Sequence, residues 1–260
     1  MRHLILSVIL LLTIAEVPLR AEEWIHNYNV RGKPEIAVDT NDGDVEISPG
    51  SGDQVNVRVT VRGVKMTDMQ ISGNQTGNRV DIKVHKPSRV CIGFCFQEIR
   101  ILVQVPRDSD LNLHSGDGNL HVQDIKGRME LETSDGDMRL HGIEGSLRAD
   151  THDGNVDVSG RFDFLNLRTG DGNIDAEISA TASPQPGWSL RTGDGNMRLR
   201  LPENFAADLS AHTGDGSVRV DVPITTSGAM SEHSVRGKMN GGGLALELQT
   251  GDGDIEVEKM

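Results

Sequence analysis

The amino-acid sequence predicts an all-β protein, a β-solenoid-like or β-helix-like stack of short two-stranded rungs with a repeat of about 18 residues. The first observation is an Asp-Gly pair that returns at Asp117, Asp135, Asp153 and Asp171, each 18 residues after the last. The second is strict alternation of apolar and polar residues on both sides of each pair. The third is the absence of helical periodicity after residue 21. A fixed period of this size is typical of one unit stacked on copies of itself, because a single unit cannot bury its own apolar face.

The apolar positions lie six and four residues before each Asp, and three and five residues after it. Around Asp153 they are Leu147, Ala149, Val156 and Val158. Alternation on both sides of a turn indicates two short strands, each with one buried face. If equivalent residues stack at the inter-strand spacing of about 4.8 Å, the core contains two columns: Leu120, Met138, Val156, Ile174 and Val122, Leu140, Val158, Ala176.

Asp-Gly is a strong signal for a tight turn, because glycine adopts a positive φ without a steric penalty. We therefore assign a structural role to the glycine of every copy: Gly43, Gly118, Gly136, Gly154, Gly172, Gly195, Gly216 and Gly253. A Thr or Ser lies two residues before each of the eight aspartates. Residues 125–127 and 143–145 share the register and predict a second corner in each rung.

The N-terminus has the features of a secretory signal peptide over residues 1–21. A polar start is followed by a mainly apolar run of eleven residues from Leu4 to Ile14, and Ala21 supplies a small residue for cleavage. Eleven residues are too few to cross a bilayer, which needs about 20. We expect an exported protein, in the periplasm, on the cell surface or secreted, with no membrane insertion after signal cleavage.

Residues 22–260 are predicted to form a single elongated domain, with regular Asp-Gly rungs over 111–260. Residues 22–110 are expected to hold degenerate rungs or a β-meander, because the 75 residues from Asp42 to Asp117 leave room for about four rungs. The 37 residues from Asp215 to Asp252 leave room for one intervening rung.

The charge of the chain excludes two classes of partner. The formal net charge is -13, and removal of Arg2, Arg20 and Glu16 with the signal (a net +1) gives -14 for the mature chain. Such a balance argues against nucleic acid and anionic membrane surfaces. Aromatic residues make up 3% of the chain, which disfavours stacking platforms for sugars or bases.

The cysteines, Cys91 and Cys95, frame the segment CIGFC. In an exported chain the first expectation is a local disulfide, with free thiols or a metal site as alternatives. The loop around them, residues 85–98, and the stretch 225–243 are candidates for recognition, because loops on a rigid frame tolerate variation.

Several motifs together resemble a known family. They are Trp24 and Tyr28 near the start, TNDGDVEI at 40–47, the serial T-x-D-G-[ND] turns, and GGGLALELQTGDGDIEV at 241–257. The chain is similar over nearly all of its mature length to a bacterial family of exported domains of unknown function labelled putative adhesin. The resemblance implies a solenoid-like all-β domain and supplies no catalytic residues.

The aspartates of the turns raise the question of a metal. Stacked carboxylates of Asp117, Asp135, Asp153 and Asp171 would repel by roughly 3 kcal/mol per pair at an effective dielectric of 20. Bound Ca²⁺ could relieve this repulsion, and so could turn hydrogen bonds or splaying into solvent. Calcium-binding β-rolls carry two such loops in every 18 residues, whereas this chain carries one. We therefore expect structural turns and no cofactor, with Ca²⁺ as the alternative.

Three functions remain open at the level of sequence. The first is an exported, non-enzymatic interaction module with adhesin-like binding to a surface glycan or protein. The second is a periplasmic structural or envelope-stress accessory domain without a ligand of its own. The third is a carbohydrate-active enzyme, for which His152 beside Asp153 and His114 near Asp117 could form acid-base pairs. Because the carboxylates recur on every rung and mark no single cleft, we expect no enzyme. The ligand and the oligomeric state are not encoded in any recognisable motif.

Overall fold

The computed structural model describes residues 21–86, 97–181, 187–226 and 231–260. Over these residues the chain consists of β-strands and one 3-10 turn at Met66–Asp68, which confirms the predicted all-β class. The predicted signal peptide lies outside the described residues apart from Ala21. The strands are β1 Glu22–Asn29, β2 Glu35–Thr40, β3 Asp44–Pro49, β4 Gln54–Arg62, β5 Gln70–Thr76, β6 Arg79–His85, β7 Glu98–Val105, β8 Asp110–Ser115, β9 Leu120–Gln123, β10 Lys126–Thr133, β11 Met138–Thr151, β12 Val156–Arg168, β13 Ile174–Thr181, β14 Trp188–Arg191, β15 Met197–Leu201, β16 Ala207–Asp215, β17 Val218–Val220, β18 Ile224–Thr226, β19 Ser234–Met239, β20 Leu244–Asp252 and β21 Ile255–Lys259.

The two strands that flank each Asp-Gly turn belong to two different rows, which together make a rung. The pre-turn row contains, in spatial order, β5, β6, β2, β8, β10, the second half of β11, the second half of β12, β14, β20, β16, β19 and β18. The post-turn row contains β1, β4, β7, β3, β9, the first half of β11, the first half of β12, β13, β15, β21 and β17. Neighbouring rungs pair in parallel.

The core lies between the two rows, because the apolar residues of every strand alternate with outward polar ones. The predicted columns are confirmed by the register, in which Leu120, Met138, Val156 and Ile174 pair in turn, as do Val122, Leu140, Val158 and Ala176. All eight side chains are buried. Each buried aliphatic side chain of the size of Leu or Val contributes about 1.5–3 kcal/mol relative to exposure, so the regular stacking is the main source of stability.

The second corner of the rung is a bend in a continuous strand. In β11 the chain passes from the post-turn row to the pre-turn row through Gly142 and Gly145, with φ of 66° and 115°. The predicted registration of this corner is confirmed, because Gly127 pairs with Gly145. A side chain at Gly145 would meet the backbone of Gly127, so this corner depends on close backbone approach.

The rungs do not follow one another in chain order at the ends of the stack. The rung β2–β3 lies between β6–β7 and β8–β9. In the same way, the rung β20–β21 lies between β14–β15 and β16–β17. Paired residues are therefore 18 apart only in the central rungs, and elsewhere the separation is different, for example 58 between Trp188 and Leu246.

Both long gaps in the Asp-Gly series contain antiparallel strands. The gap after Asp42, for which about four degenerate rungs or a β-meander were expected, holds one further rung, β6–β7, together with β4 and β5, which pair antiparallel with β7 and β6. After Asp215, β19 pairs antiparallel with β16, and β18 pairs antiparallel with β19, in place of the predicted rung. Alternation with period two is the same in parallel and antiparallel strands, so the sequence pattern could not separate the two arrangements.

The two ends of the stack differ in structure. Trp24, His26 and Tyr28 of β1 form a row of contacting rings. Trp24 and Tyr28 also reach Gly73 of β5 in the other row, so this cluster covers one end of the core. At the opposite end Glu256 does not lie on an edge strand, because β21 lies between β15 and β17. The outermost strands there are β17 and β18, of three residues each.

Candidate functional site

The hydroxyl residues of the Asp-Gly turns form a continuous ladder through the protein. All eight of these Ser and Thr side chains are buried, and the Oγ of seven of them donates a hydrogen bond to the glycine carbonyl of the neighbouring rung. We call this series the hydroxyl ladder. Its bonds are Ser115 to Gly43 (3.2 Å), Thr133 to Gly118 (3.0 Å), Thr151 to Gly136 (3.2 Å), Thr169 to Gly154 (2.8 Å), Thr192 to Gly172 (2.7 Å), Thr250 to Gly195 (2.9 Å) and Thr213 to Gly253 (2.8 Å).

Several of these hydroxyl oxygens also accept a bond from the glycine N–H of their own turn. The distances from glycine N to Oγ are 3.2 Å at Thr40, 3.1 Å at Ser115 and 3.3 Å at Thr151. The hydroxyl thus satisfies two backbone groups that would otherwise be buried without a partner. The sequence pattern showed that a hydroxyl residue recurs, but its ladder role was not predicted.

The glycines of the turns are explained by close approach of neighbouring backbones. Among the eight, only Gly216 and Gly253 have a positive φ, 143° and 151°. The prediction that a positive φ explains these glycines is therefore wrong for the other six. A Cβ built at Gly154 would lie 2.6 Å from the carbonyl carbon of Gly136 and closer still to its oxygen. Real Cβ atoms essentially never come within 3.0 Å of such atoms.

A second ladder lies on the outer side of the turns, two residues after each Asp. Here the Oδ1 of an Asp or Asn accepts a hydrogen bond from the backbone N–H of the equivalent residue in the next rung. We call this series the Asx ladder. Its bonds, from donor to acceptor, are Asn119 to Asp44 (2.9 Å), Asp137 to Asn119 (3.0 Å), Asn155 to Asp137 (3.0 Å), Asn173 to Asn155 (3.0 Å), Asn196 to Asn173 (2.9 Å), Asp254 to Asn196 (2.9 Å) and Ser217 to Asp254 (2.8 Å).

The Asx ladder lowers the pKa of two of its carboxyl groups. The backbone N–H of Asn155 is the main cause at Asp137, with further contributions from the Asn155 side chain and Arg139. At Asp254 the hydroxyl and the backbone N–H of Ser217 lower the pKa. Hydrogen bonds to the ionised form favour it, so both groups are held as carboxylates by the ladder. The Asx ladder thus has a structural use.

The predicted calcium ligands lie on the outside of the turns. Asp117, Asp135, Asp153 and Asp171 are all exposed, and Asp153 contacts His152 at 3.6 Å. Among the described residues, no group of three or more His, Cys, Asp or Glu side chains is placed to hold a metal ion. Ca²⁺ binding at these aspartates stays a prediction, and so does the purely structural role of the turns.

The histidines considered for acid-base chemistry are on open surfaces. His152 lies beside Asp153 with 79% of its side chain exposed. The acidic neighbour of His114 is Glu132, at 3.6 Å, and not the predicted Asp117. On the other row, His141 contacts Ser159 at 3.1 Å. His152 and His114 lie on the same row, but each is beside a different acid, Asp153 and Glu132, so the two histidines do not form one acid-base pair.

An extensive concave surface lies on the outer face of the pre-turn row. A depression of about 610 Å³ crosses five rungs and is lined by Glu132, Thr133, Ser134, Asp150, Thr151, His152, Arg168, Thr169, Gly170, Arg191, Thr192, Gly193 and Gln249. A second depression of about 280 Å³ adjoins it, shares Glu132 and Asp150, and extends to Asn112, His114, Glu130 and Arg148. We call the two together the charged groove. The sequence did not predict a groove.

The predicted disulfide and the predicted recognition loops cannot be related to this surface. Cys91 and Cys95 lie outside the described residues, as do 87–90, 92–94 and 96 of the same loop. At the base of that loop, Lys86 contacts Asp42 at 3.0 Å, and its backbone exchanges hydrogen bonds with Asn41. Residues 227–230 of the second loop likewise fall outside the described ranges. The disulfide stays a prediction.

Parallel two-stranded rungs joined by side-chain ladders define a repeat protein of the solenoid-like type. The sequence matches the family described as Toastrack DUF4097 twice, over residues 34–175 and, overlapping with them, over 109–258. The chain therefore belongs to this family, and the predicted family membership is confirmed. Overlapping matches are expected when one family pattern fits two successive groups of rungs.

Comparison with solved structures gives similar but distant proteins. A putative adhesin from Bacteroides fragilis NCTC 9343 is 11% identical, with 92% of this chain and 97% of that chain covered and a TM-score of 0.49. A putative cell adhesion protein from Clostridium sporogenes ATCC 15579 is 13% identical, covers 93% and 100%, and has a TM-score of 0.42. A putative lipid binding protein from Parabacteroides distasonis ATCC 8503 is 11% identical, covers 90% and 96%, and has a TM-score of 0.45. Likeness at this level carries no argument about function.

No curated protein matches the chain. The part of the chain that the structure describes contains no helix with the length and apolar character of a membrane span.

Proposed function

We propose that this protein is an exported, non-enzymatic interaction module that binds a glycan or a protein in the periplasm or at the cell surface. The observation that carries the proposal is the charged groove. It is an open, elongated and strongly polar surface, and such a surface suits an extended polar ligand better than a small substrate, which is usually enclosed.

The two ladders separate the residues with a structural role from those that are free to bind a ligand. They give the recurrent Ser, Thr, Asn and Asp residues of the turns a place in the hydrogen bonding of the stack. Outward charged residues such as Asp150 and Arg168 take no part in either ladder. Their identities are therefore free to serve recognition on a rigid frame.

The second candidate is a structural or envelope-stress accessory domain without a ligand. It is favoured by the ion pairs on the outer face of the post-turn row, where Arg198 contacts Glu256 at 3.1 Å and Arg200 contacts Asp175 at 2.8 Å. A surface that neutralises its own charges needs no partner. The charged groove differs from it in leaving Asp150 and Arg168 without an ion pair among the described residues.

The test has two parts. Protease added to intact cells that express the full chain should degrade a surface-exposed protein and spare a periplasmic one. Purified protein should bind saturably to envelopes of the source organism, with binding lost in Asp150→Asn and retained in the control Asp157→Asn on the other row. Absence of saturable binding by the native protein would favour the accessory domain. Equal loss in both variants would show that the groove is not the site.

A further inference from the structure

Two arginines lie side by side in the charged groove. Arg168 at the end of β12 and Arg191 at the end of β14 are direct partners in the register of these parallel strands. Both side chains are exposed on the outer face of the pre-turn row. Like charges directly opposite each other destabilise a sheet, so this placement needs a reason other than stability.

The neighbouring charges are segregated along the same column. Asp150 is the partner of Arg168 on the preceding strand, and Glu132 is the partner of Asp150. Along this column two acidic residues are therefore followed by two cationic ones. An alternating order of charges would instead place an opposite charge beside each residue. Arg191 contacts Glu247 at 2.8 Å. Arg168 makes no ion pair with any of the described residues, not even with the adjacent Asp150.

We propose that the guanidinium groups of Arg168 and Arg191 together bind one carboxylate or sulfate group of an acidic glycan. This inference rests on the proposed function and names the ligand class of the same groove. Guanidinium groups pair with carboxylates and with tetrahedral oxyanions through parallel hydrogen bonds. An anion between the two arginines also removes their mutual repulsion, which gives the like-charged pair its purpose.

The acidic half of the groove identifies the rest of the ligand. Glu132 and Asp150 present carboxylate oxygens that accept hydrogen bonds, and they would repel a second anionic group. Sugar hydroxyls are the donors that suit them, so the site fits an anionic group followed by hydroxyl-bearing units. Apart from the imidazole rings of His152 and His114, the lining carries no aromatic side chain, which disfavours a ligand held by stacking.

The test is calorimetric titration of the full chain with oligogalacturonate and with sulfated dextran, using neutral dextran and polyglutamate as controls. Removing one charged hydrogen-bond partner should weaken binding roughly 10- to 100-fold. We expect this loss in Arg168→Gln. The matched control is Arg236→Gln, an exposed arginine of β19 in the same row, outside the groove and without an ion pair among the described residues. It should bind like the native protein.

A stability measurement separates this role from a structural one. Without ligand, Arg168→Gln should keep or raise the melting temperature, because it removes a like-charge contact. A lower melting temperature with unchanged binding would mean that Arg168 serves the fold, and the inference would be wrong. Equal binding of polyglutamate and the acidic glycans would also overturn it. If Arg168-dependent glycan binding occurs without envelope binding, the proposed function fails while this inference stands.

Discussion

Replacement of Gly154 is the sharpest test of how the rungs are held together. In Gly154→Ala the new Cβ would lie 2.6 Å from the carbonyl carbon of Gly136 and 3.0 Å from Oγ1 of Thr151. Neither is the far end of a flexible side chain, so the rungs must separate locally. Separation also strains the bond from the Thr151 hydroxyl to the Gly136 carbonyl, which is 3.2 Å long.

The expected cost follows from these contacts. Overpacking in a well-packed interior costs about 1–3 kcal/mol, and a buried backbone group left without its hydrogen bond costs about 1–3 kcal/mol more. We therefore expect a loss of about 3 kcal/mol or more in the free energy of unfolding. For a chain of this size that loss corresponds to a melting temperature lower by roughly 6–12 °C. Gly154→Val places the same Cβ there with added branches and should prevent folding.

The assay is chemical denaturation followed by circular dichroism, with Gly77→Ala as the control. Gly77 has a φ of 61°, and no heavy atom lies within 4 Å of the position that a Cβ would occupy. Its substitution therefore costs only the left-handed backbone strain of about 1–2 kcal/mol. If Gly154→Ala lost no more stability than Gly77→Ala, close backbone approach would not be the reason for glycine in these turns.

Four further outcomes are expected. Thr151→Val should lower the free energy of unfolding by about 1–3 kcal/mol, because the Gly136 carbonyl loses its buried donor, and denaturation measures this. Folding lowers the pKa of the Asp137 carboxyl, so this group stabilises the folded state above its ordinary pKa of 3.8. That stabilisation is lost as the pH falls through the folded pKa. Asp137→Asn should therefore lose less stability on acid titration than the native protein. Deletion of residues 244–260 should abolish cooperative unfolding instead of fraying one end, because that rung lies inside the stack. Millimolar Ca²⁺ should leave the melting temperature unchanged in the native protein and in Asp153→Asn.

Each of these outcomes has a result that would contradict it. Native stability in Thr151→Val would mean that the hydroxyl ladder contributes nothing. An unchanged acid profile in Asp137→Asn would remove the role of the Asx ladder in ionisation. Cooperative unfolding of the truncated chain would contradict the observed order of rungs. A rise in melting temperature with Ca²⁺ that disappears in Asp153→Asn would establish the turns as a metal site.

The core was predictable from sequence because burial imposes a period on it. Every second residue of a strand faces inward, and columns such as Leu120 and Met138 follow once the Asp-Gly turns fix the register. The turn residues were only partly predictable. The repeat identifies Gly154 and Thr151, but it predicts for the glycine a backbone angle that it does not have, because a turn motif does not show which atoms approach it from the next rung.

The order of the rungs and the groove were not predictable. Nothing in the local sequence of β20 distinguishes a strand at the end of the stack from one inside it, because its partners, β14 and β16, are chosen by packing over long separations. The pairing of Arg168 with Arg191 was also not predicted, because the two residues are 23 positions apart and the regular 18-residue period is broken between them.

The first and last Asp-Gly rungs lie inside the stack, and this limits where additional repeat units can be inserted. In a simple solenoid, a new unit can be added after the last one. Here a unit appended after β21 would meet β17, which already occupies the adjacent position. Additional 18-residue units can be accommodated only among the central rungs, between β8–β9 and β14–β15. Relatives of different length are therefore expected to differ in the number of central units. Additional units would lengthen the face that carries the groove, while the two ends of the stack keep their architecture.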